Sequence, residues 1–299
     1  MYNISRKDVE FNIEQGSPKK IYFQSPYASG NQIIDRAKAL QYGDNSNKAL
    51  VFIHGFGEMK IFELLKYYPR YFAKNGYTVL MPVLPFLMER KPEKYRKKDL
   101  FLSGFAEDIE KRFYQSVNDI RIFIDYLEEE GYEEVNIMGF SFGGIISTIA
   151  MALDQRIARA VLVVTGGDME HITWESLATE ELRKRYRKED YCDSEKCHEL
   201  HQNFDQAAAE FQKLEDLKKF PACFRYDPSF FAHRINSEKV LMFNALFDKL
   251  IPRESADDLW QRLGEPKRYN LIAGHYTTHL LYKKFICRRA DAFFEESLN

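Results

Sequence analysis

Cysteine is scarce in this sequence, with four residues among 299, at positions 192, 197, 223 and 287. So few cysteines cannot form the disulfide framework of a small secreted domain, and a chain of this length can bury a core without one. We therefore expect a reduced, cytoplasmic protein.

Long apolar runs are also missing. The longest, from Tyr77 to Met88, contains two prolines and is too short to cross a bilayer. The first 11 residues carry charges and have no apolar centre, so we expect neither a secretory leader nor a membrane span.

Neither sign of charge dominates, because the chain has 43 Lys and Arg residues and 45 Asp and Glu residues. The net charge of −2 predicts no general affinity for nucleic acid or anionic membranes. One basic stretch, from Arg90 to Lys98, is interpreted as a solvated surface loop. The alternative is that it forms the rim of a site and attracts an anionic substrate. No internal repeat is found, and the sequence carries no sign of oligomeric state.

The most informative stretch surrounds Ser141. Residues 135–138 indicate a short buried strand, Gly139-Phe140-Ser141-Phe142-Gly143 follows at once, and residues 144–153 form an apolar run typical of a helix. Strand, sharp turn and helix is the context in which G-x-S-x-G carries a nucleophilic serine. We therefore predict that the Ser141 hydroxyl stands at the C-terminal end of its strand and acts as a nucleophile.

A serine hydroxyl needs a base, and the base needs a carboxylate that orients it and stabilises its charged form. Asp248 follows a predicted strand at 240–245, and His275 follows the last predicted strand, at 268–272. The order serine, aspartate, histidine is the one expected of a nucleophile elbow. The sequence therefore predicts a catalytic triad of Ser141, Asp248 and His275.

Two alternatives to these partners remain open. Asp168 follows a strand at 160–164 and could orient the imidazole, although a turn residue after two glycines would look the same. His279 lies one helical turn beyond His275 and could serve as the base, or it could pack at the start of the terminal helix.

An ester hydrolase also needs two fixed hydrogen-bond donors for the oxyanion. The N–H of Phe142, directly after the nucleophile, is the first candidate. The second is the N–H of Phe56 in the loop His54-Gly55-Phe56-Gly57, which follows a predicted strand at 48–53. His54 is expected to stabilise that loop by hydrogen bonding.

Strands and helices alternate along most of the chain, which predicts a parallel sheet covered by helices. The alternation stops between residues 169 and 236, a polar and charged segment with helical stretches. We interpret residues 1–168 and 237–299 as the core and residues 169–236 as a cap over the serine. Aromatic side chains near the strand ends and in the cap are expected to line an apolar acyl pocket: Phe56, Phe86, Phe140, Phe142 and Trp174.

One pattern in the cap could hold a metal, namely Cys192-x4-Cys197-His198-x2-His201. Thiolates and imidazoles at short spacing suit zinc, but the spacing departs from the usual C-x2-C pairs. A helix with incidental cysteines is the preferred interpretation, and no metal or cofactor is assigned.

Together, these motifs resemble those of the α/β-hydrolase superfamily. The residues that carry the resemblance are 51–57, 139–144, 246–252 and 274–275, and the dienelactone-hydrolase and acyl-esterase-like members are the most similar. The resemblance implies a mostly parallel, eight-stranded sheet with helices on both faces and a helical cap insertion.

The expected function is hydrolysis of a small-molecule carboxylic ester through an acyl-enzyme intermediate, without a cofactor. A peptidase, thioesterase or acyltransferase could use the same triad. A binding protein without activity on the same scaffold is the alternative from another class.

Overall fold

A single β-sheet runs through the chain, which a computed structural model describes at residue 2 and at residues 9–27, 29–44, 46–56, 59–92 and 101–296. The strands within these residues are β1 (Asn12–Glu14), β2 (Lys19–Gln24), β3 (Arg36–Tyr42), β4 (Ala49–Ile53), β5 (Thr78–Val83), β6 (Val135–Phe140), β7 (Ile157–Val163), β8 (Val240–Ala245) and β9 (Lys267–Leu271).

The order across the sheet is β1-β2-β3-β5-β4-β6-β7-β8-β9. The pairs from β1 to β3 and the pair of β3 with β5 are antiparallel, whereas every pair from β5 to β9 is parallel. Residues that follow the parallel strands therefore meet at one edge of the sheet. The described residues contain nine strands, where the resemblance implied eight. The shortest is the outermost, β1, whose 3 residues are all exposed and add little to the core.

Helices cover both faces of the sheet. Their bounds are α1 (Gln32–Asp35), α2 (Met59–Leu65), α3 (Tyr67–Lys74), α4 (Ala106–Glu129), α5 (Phe142–Leu153), α6 (Met169–Glu175), α7 (Glu180–Lys188), α8 (Ser194–His201), α9 (Phe204–Glu210), α10 (Pro228–Phe231), α11 (Arg253–Arg262) and α12 (His275–Glu295). Across the part of the chain that the structure describes, we find no helix with both the length and the apolar character needed to cross a membrane.

Successive residues of the central strands pack into two separate cores, as the alternation of side chains along a strand requires. In β4, Val51 and Ile53 join the cluster that includes α4 and α5, while Leu50 and Phe52 join the cluster that includes α3 and α12. The Phe52 ring stacks on Tyr68 of α3 with centroids 5.4 Å apart. β4 is therefore buried on both faces, as a central parallel strand should be.

Residues 169–236 are helical and contain no strand, which matches the predicted interruption between β7 and β8. The segment has no core of its own, because buried side chains such as Phe211, Phe230 and Phe231 belong to the same hydrophobic cluster as α4 and α5. The segment is therefore packed onto one face of the sheet through shared apolar contacts.

Arg90 is not part of a solvated loop, and that part of the sequence interpretation is wrong. Its side chain is 2% exposed and forms an ion pair with Asp119 of α4, Nη2 to Oδ2, at 2.7 Å. Its other N–H groups donate to the carbonyl oxygens of Val83 and Ile34, each at 2.9 Å. Most of the basic stretch, residues 93–98, lies outside the described residues.

Removing the carboxylate of this pair is expected to destabilise the protein strongly. The Asp119→Ala substitution should lower the free energy of unfolding by about 3–5 kcal/mol, because the Arg90 guanidinium would remain buried without a counter-charge. Urea unfolding measures the change. Glu14→Ala breaks the exposed pair with Lys20 and is the matched control, for which we expect little change. Equal effects of the two substitutions would contradict a stabilising role of the buried pair.

Candidate active site

Ser141 occupies a strained turn between β6 and α5. Its φ of 57° and ψ of −123° lie outside the regions that residues with a Cβ normally adopt. Its N–H donates to the carbonyl of Val163 in β7 at 2.7 Å, which fixes the turn to the neighbouring strand. Backbone strain of this kind persists only where surrounding contacts enforce it, and it is concentrated at functional sites.

The glycines beside Ser141 are required by close backbone contacts. A Cβ on Gly143 would collide with the carbonyl groups of Ile53 and His54, and a Cβ on Gly139 would collide with the carbonyl of Gly143. The chain can therefore reverse from strand to helix only with glycine at both positions. The two glycines of the G-x-S-x-G pentapeptide are therefore a steric requirement of this strand-to-helix turn.

His275 and Asp248 are in direct contact. Nδ1 of His275, the first residue of α12, lies 2.7 Å from Oδ2 of Asp248, and both side chains are buried. The other carboxylate oxygen, Oδ1, accepts the N–H groups of Leu250 at 2.8 Å and Ile251 at 3.0 Å. Since the carboxylate can only accept, it holds the imidazole proton on Nδ1 and leaves Nε2 as an acceptor.

Ser141 and His275 lie at the same edge of the sheet, because β6 and β9 are joined through parallel pairs with β7 and β8. The ring of Phe140, directly before Ser141, lies 6.1 Å from the ring of His275, centroid to centroid. The structure thus joins Asp248 to His275 by a hydrogen bond, whereas Ser141 has none to His275. Catalytic hydrogen bonds are commonly long in the absence of a substrate and tighten when one binds.

The two predicted oxyanion donors are on adjacent segments. The rings of Phe56 and Phe142 are stacked with centroids 4.0 Å apart and an interplanar angle of 16°. Phe142 is the first residue of α5, where N–H groups have no partner within the helix and the helix dipole is positive. Gly57, which completes the loop motif, lies outside the described residues.

His54 supports the loop that carries Phe56. It is fully buried, Nδ1 lies 2.8 Å from the carbonyl of Gly55, and Nε2 accepts the N–H of Leu84 at 3.3 Å. Burial lowers the pKa of His54 to about 4, so the ring is neutral and Nδ1 donates to Gly55. The hydrogen bonds agree with the loop-stabilising role expected from the sequence.

The two alternative residues have other contacts. Asp168 caps α6 by accepting the N–H of Glu170 at 2.9 Å, and it is Asp248 that contacts His275. His279 is buried against the rings of Tyr67 and Tyr68, at 6.2 Å and 5.4 Å, and burial lowers its pKa to about 4. The geometry therefore favours Asp248 and His275 over both alternatives.

Two of the aromatic residues expected to line an acyl pocket lie in the core instead. Phe140 and Phe142 are each 2% exposed and contribute to the core on opposite faces of the sheet. Phe86 packs against the guanidinium of Arg112, 4.8 Å from its ring centroid. Strand-end position alone did not distinguish a side chain that faces a pocket from one that faces the core.

Apolar side chains that the sequence analysis did not select are exposed next to the proposed acid and base. Phe247, directly before Asp248, is 66% exposed, and Ile272, three positions before His275, is 69% exposed. Leu246, Tyr276 and Leu280 are also exposed on the same two segments. Phe247 and Ile272 could have been identified from the sequence as large apolar residues in loops next to predicted catalytic residues, outside any strand or helix pattern.

Gly55→Ala is expected to impair any reaction at Ser141 without unfolding the protein. The added Cβ would lie 2.9 Å from both the Phe140 carbonyl oxygen and the Ser141 Cβ, and 3.4 Å from the Ser141 Oγ. The loop would have to shift, and a displacement of about 1 Å can reduce turnover about 100-fold. Steady-state kinetics and thermal unfolding separate the two effects, with Gly16→Ala in an exposed turn before β2 as the control. Wild-type kcat in Gly55→Ala would exclude a close role for this loop.

Two comparisons at the sequence level give matches. A family model described as the alpha/beta hydrolase fold matches residues 48–190. The uncharacterized protein YdjC of Bacillus subtilis (strain 168) is 38% identical over 72 residues, which are 24% of this chain and 61% of that protein. The chain therefore spans less than two thirds of the length of this relative.

Solved structures with the same fold include several esterases. The esterase Pf2001 of Pyrococcus furiosus is 12% identical and superimposes with a TM-score of 0.56, covering 98% of this chain and 95% of that one. The acetyl xylan esterase from Paenibacillus sp. R4 is 17% identical, with a TM-score of 0.60 and coverage of 93% and 88%. Together with the nine-stranded sheet and the family-model match, these structures show that the chain has the α/β-hydrolase fold.

Proposed function

We propose that this protein is a serine hydrolase that cleaves a carboxylic ester through an acyl-enzyme intermediate. The observation that carries the proposal is the hydrogen bond of His275 Nδ1 to Asp248 Oδ2, at the sheet edge where Ser141 is held in a strained turn. A nucleophile, a base and an orienting carboxylate from three strand ends are what acyl transfer requires.

In the first half of the reaction, Ser141 Oγ attacks the acyl carbon while Nε2 of His275 accepts the hydroxyl proton. Asp248 stabilises the imidazolium that forms, and two backbone N–H groups donated to its other oxygen hold the carboxylate in place. The N–H groups of Phe142 and Phe56 donate to the oxyanion. His275 then gives its proton to the leaving alcohol, and the acyl group remains on Ser141.

In the second half, a water molecule gives a proton to Nε2 of His275 and attacks the acyl carbon. The tetrahedral intermediate breaks down as Ser141 Oγ leaves and recovers a proton from His275, which releases the carboxylic acid. Each step uses a side chain or an N–H group of this chain, so the proposal needs no cofactor.

The helical segment at 169–236 is proposed to act as a cap over this site. Its support is direct contact with the loop that carries Asp248: the N–H of Leu177 donates to the carbonyl of Lys249 at 3.1 Å, and Ser176 Oγ donates to the carbonyl of Leu250 at 2.5 Å. A cap fixed beside the acid would restrict which substrates reach Ser141.

The names of the structural neighbours support an ester as the substrate. Pf2001 and the Paenibacillus enzyme are called esterases, as is a cold-adapted protein from an Arctic intertidal metagenomic library that is 15% identical with a TM-score of 0.54. Because sequence identity is low, these names favour the bond type and leave the acyl and alcohol groups open.

A panel of substrates with one acyl group tests the proposal. We expect turnover of p-nitrophenyl butyrate and slower turnover of the matching p-nitroanilide, because an amide carbonyl is less electrophilic and its nitrogen must be protonated before it can leave. Turnover of the matching thioester in preference to the ester would favour a thioesterase. A series of p-nitrophenyl esters of increasing chain length then gives the acyl preference. No hydrolysis of any member would favour a binding protein, and selective cleavage of the anilide would favour a peptidase.

A further inference from the structure

Outside the proposed active site, two carboxylates and a buried imidazole converge where β7 passes into α6. We propose that Asp168, Glu170 and His201 bind a divalent transition-metal ion, for which Zn²⁺ is the best-matched probe, and that this ion fastens the end of β7 to α8. The inference is independent of the proposed esterase function, because it concerns other side chains and another kind of ligand.

The three side chains offer ligand atoms that all lie within 4.8 Å of one another. In a tetrahedral zinc site with bonds of about 2.0–2.2 Å, ligand atoms are separated by about 3.3–3.6 Å. Closing around an ion therefore needs a movement of about 1 Å, which side-chain rotation can supply. The Asp168 carboxylate is already oriented by the Glu170 N–H, which donates to Oδ1 at 2.9 Å.

The charge of the two carboxylates is not balanced by strong bases. Within the described ranges, no lysine or arginine forms an ion pair with Asp168 or Glu170; their partners are imidazoles. Three of the seven histidines of the chain lie around them, namely His171, His198 and His201. Since no lysine or arginine of the described residues pairs with either carboxylate, a divalent cation would supply positive charge between them.

His201 is the anchor of the proposed site. Its side chain is 6% exposed, and Nε2 is buried with no hydrogen-bond partner among the residues described. Nδ1 lies 2.8 Å from the carbonyl of Cys197 and 3.9 Å from Oε2 of Glu170. A buried imidazole nitrogen without a partner is costly, and metal coordination is one way to satisfy a ring of this kind.

His198 is placed to complete the coordination. Its Nδ1 lies 3.0 Å from Oε1 of Glu170, on the opposite carboxylate oxygen from His201. The side chain is 69% exposed, so it can move toward an ion without disturbing the core. Two imidazoles and two carboxylates form a donor set that suits zinc and neighbouring first-row metals.

This donor set differs from the one that the sequence pattern suggested. Cys197 Sγ lies 3.6 Å from Nδ1 of His201, Cys192 Sγ donates to the carbonyl of Asp193 at 3.4 Å, and all four cysteines are free. His198 and His201 belong to the pattern, but both face Glu170, which lies 28 positions before His198. The pattern therefore contained the imidazoles of the proposed site, whereas its carboxylates come from a different part of the chain.

Metal binding to the chelator-treated protein tests the inference directly. Calorimetric titration with Zn²⁺ should give one equivalent bound, together with a rise in Tm, because an ion that binds only the folded state stabilises it by mass action. Glu170→Gln and His201→Gln should each weaken Zn²⁺ binding at least about 10-fold. His233→Gln, a histidine outside the cluster, should bind Zn²⁺ as the wild type does.

Substitution with Co²⁺ identifies the ligands even if one variant folds poorly. Carboxylate and imidazole ligands give weak visible bands, whereas thiolates add an intense near-ultraviolet charge-transfer band. Absence of that band in the wild type, with binding retained in a Cys192→Ser/Cys197→Ser double variant, is the expected result. No Zn²⁺ bound to the wild type, or unchanged affinity in Glu170→Gln, would overturn the proposal whether or not the protein hydrolyses esters.

Discussion

Ser141→Ala is expected to lower kcat for ester hydrolysis by about 10³–10⁶-fold, because the variant has no oxygen that can form the acyl-enzyme. The fold should be unchanged, since alanine retains the Cβ and only the hydroxyl is lost. Ser141→Gly should be equally inactive and should resist unfolding at least as well as Ser141→Ala. The reason is the φ of 57° at this position, which glycine adopts without steric cost.

Covalent labelling separates loss of the nucleophile from loss of the site. A fluorophosphonate probe should modify the wild type and neither Ser141 variant, while thermal unfolding confirms that both variants are folded. The Gly16→Ala protein is the labelling-competent control. Labelling of Ser141→Ala, or turnover within about tenfold of the wild type, would place the nucleophile elsewhere and would remove the basis of the proposed mechanism.

The positions of Ser141, Asp248 and His275 could be predicted because each depends on local sequence. A short apolar strand precedes each residue, and the carboxyl ends of parallel strands meet at one edge whatever the lengths of the connecting segments. The glycines around Ser141 reflect close backbone contacts, within the turn itself for Gly139 and with the end of β4 for Gly143. The proposed site is therefore encoded in three short segments, whose strands end at one edge of the sheet.

Arg90 shows why other features could not be predicted. Its partner Asp119 lies 29 positions further on, on the buried side of α4, and its carbonyl partner Ile34 lies 56 positions earlier. A basic residue beside other basic residues has the pattern of a surface loop. Only the long-range packing of α4 against the start of the chain makes it a buried ion pair, and no local pattern reports such a contact.

The side chains around the site were difficult for a related reason. Position at a strand end fixes which edge of the sheet a residue occupies, but it does not fix the direction of the side chain. Phe140 and Phe142 therefore proved to be core residues, while Phe247 and Ile272 are exposed beside the proposed acid and base. The substrate preference of the proposed site would depend on these directions and on the segment at 169–236, and so on tertiary packing rather than on the motifs.

Asp248→Asn is expected to lower kcat by about 10⁴-fold, with Asp168→Asn as the matched control that leaves kcat close to the wild-type value. The Asp248 carboxylate accepts the Nδ1 proton of His275 at 2.7 Å and two backbone N–H groups. An asparagine in the same place would have an amide group that can donate to Nδ1, which moves the imidazole proton to Nε2. The ring could then no longer accept the proton of Ser141.

Steady-state kinetics on one p-nitrophenyl ester compares the two variants, and both keep the size of the original side chain. Asp168 has a separate structural function at the start of α6, so its substitution should affect Tm and leave kcat close to the wild-type value. Fluorophosphonate labelling of Asp248→Asn should be slowed as strongly as turnover, because the same proton transfer activates Ser141 toward both reagents. If Asp168→Asn lost activity and Asp248→Asn kept it, the acid would have to be Asp168, and the contact with His275 would be structural only.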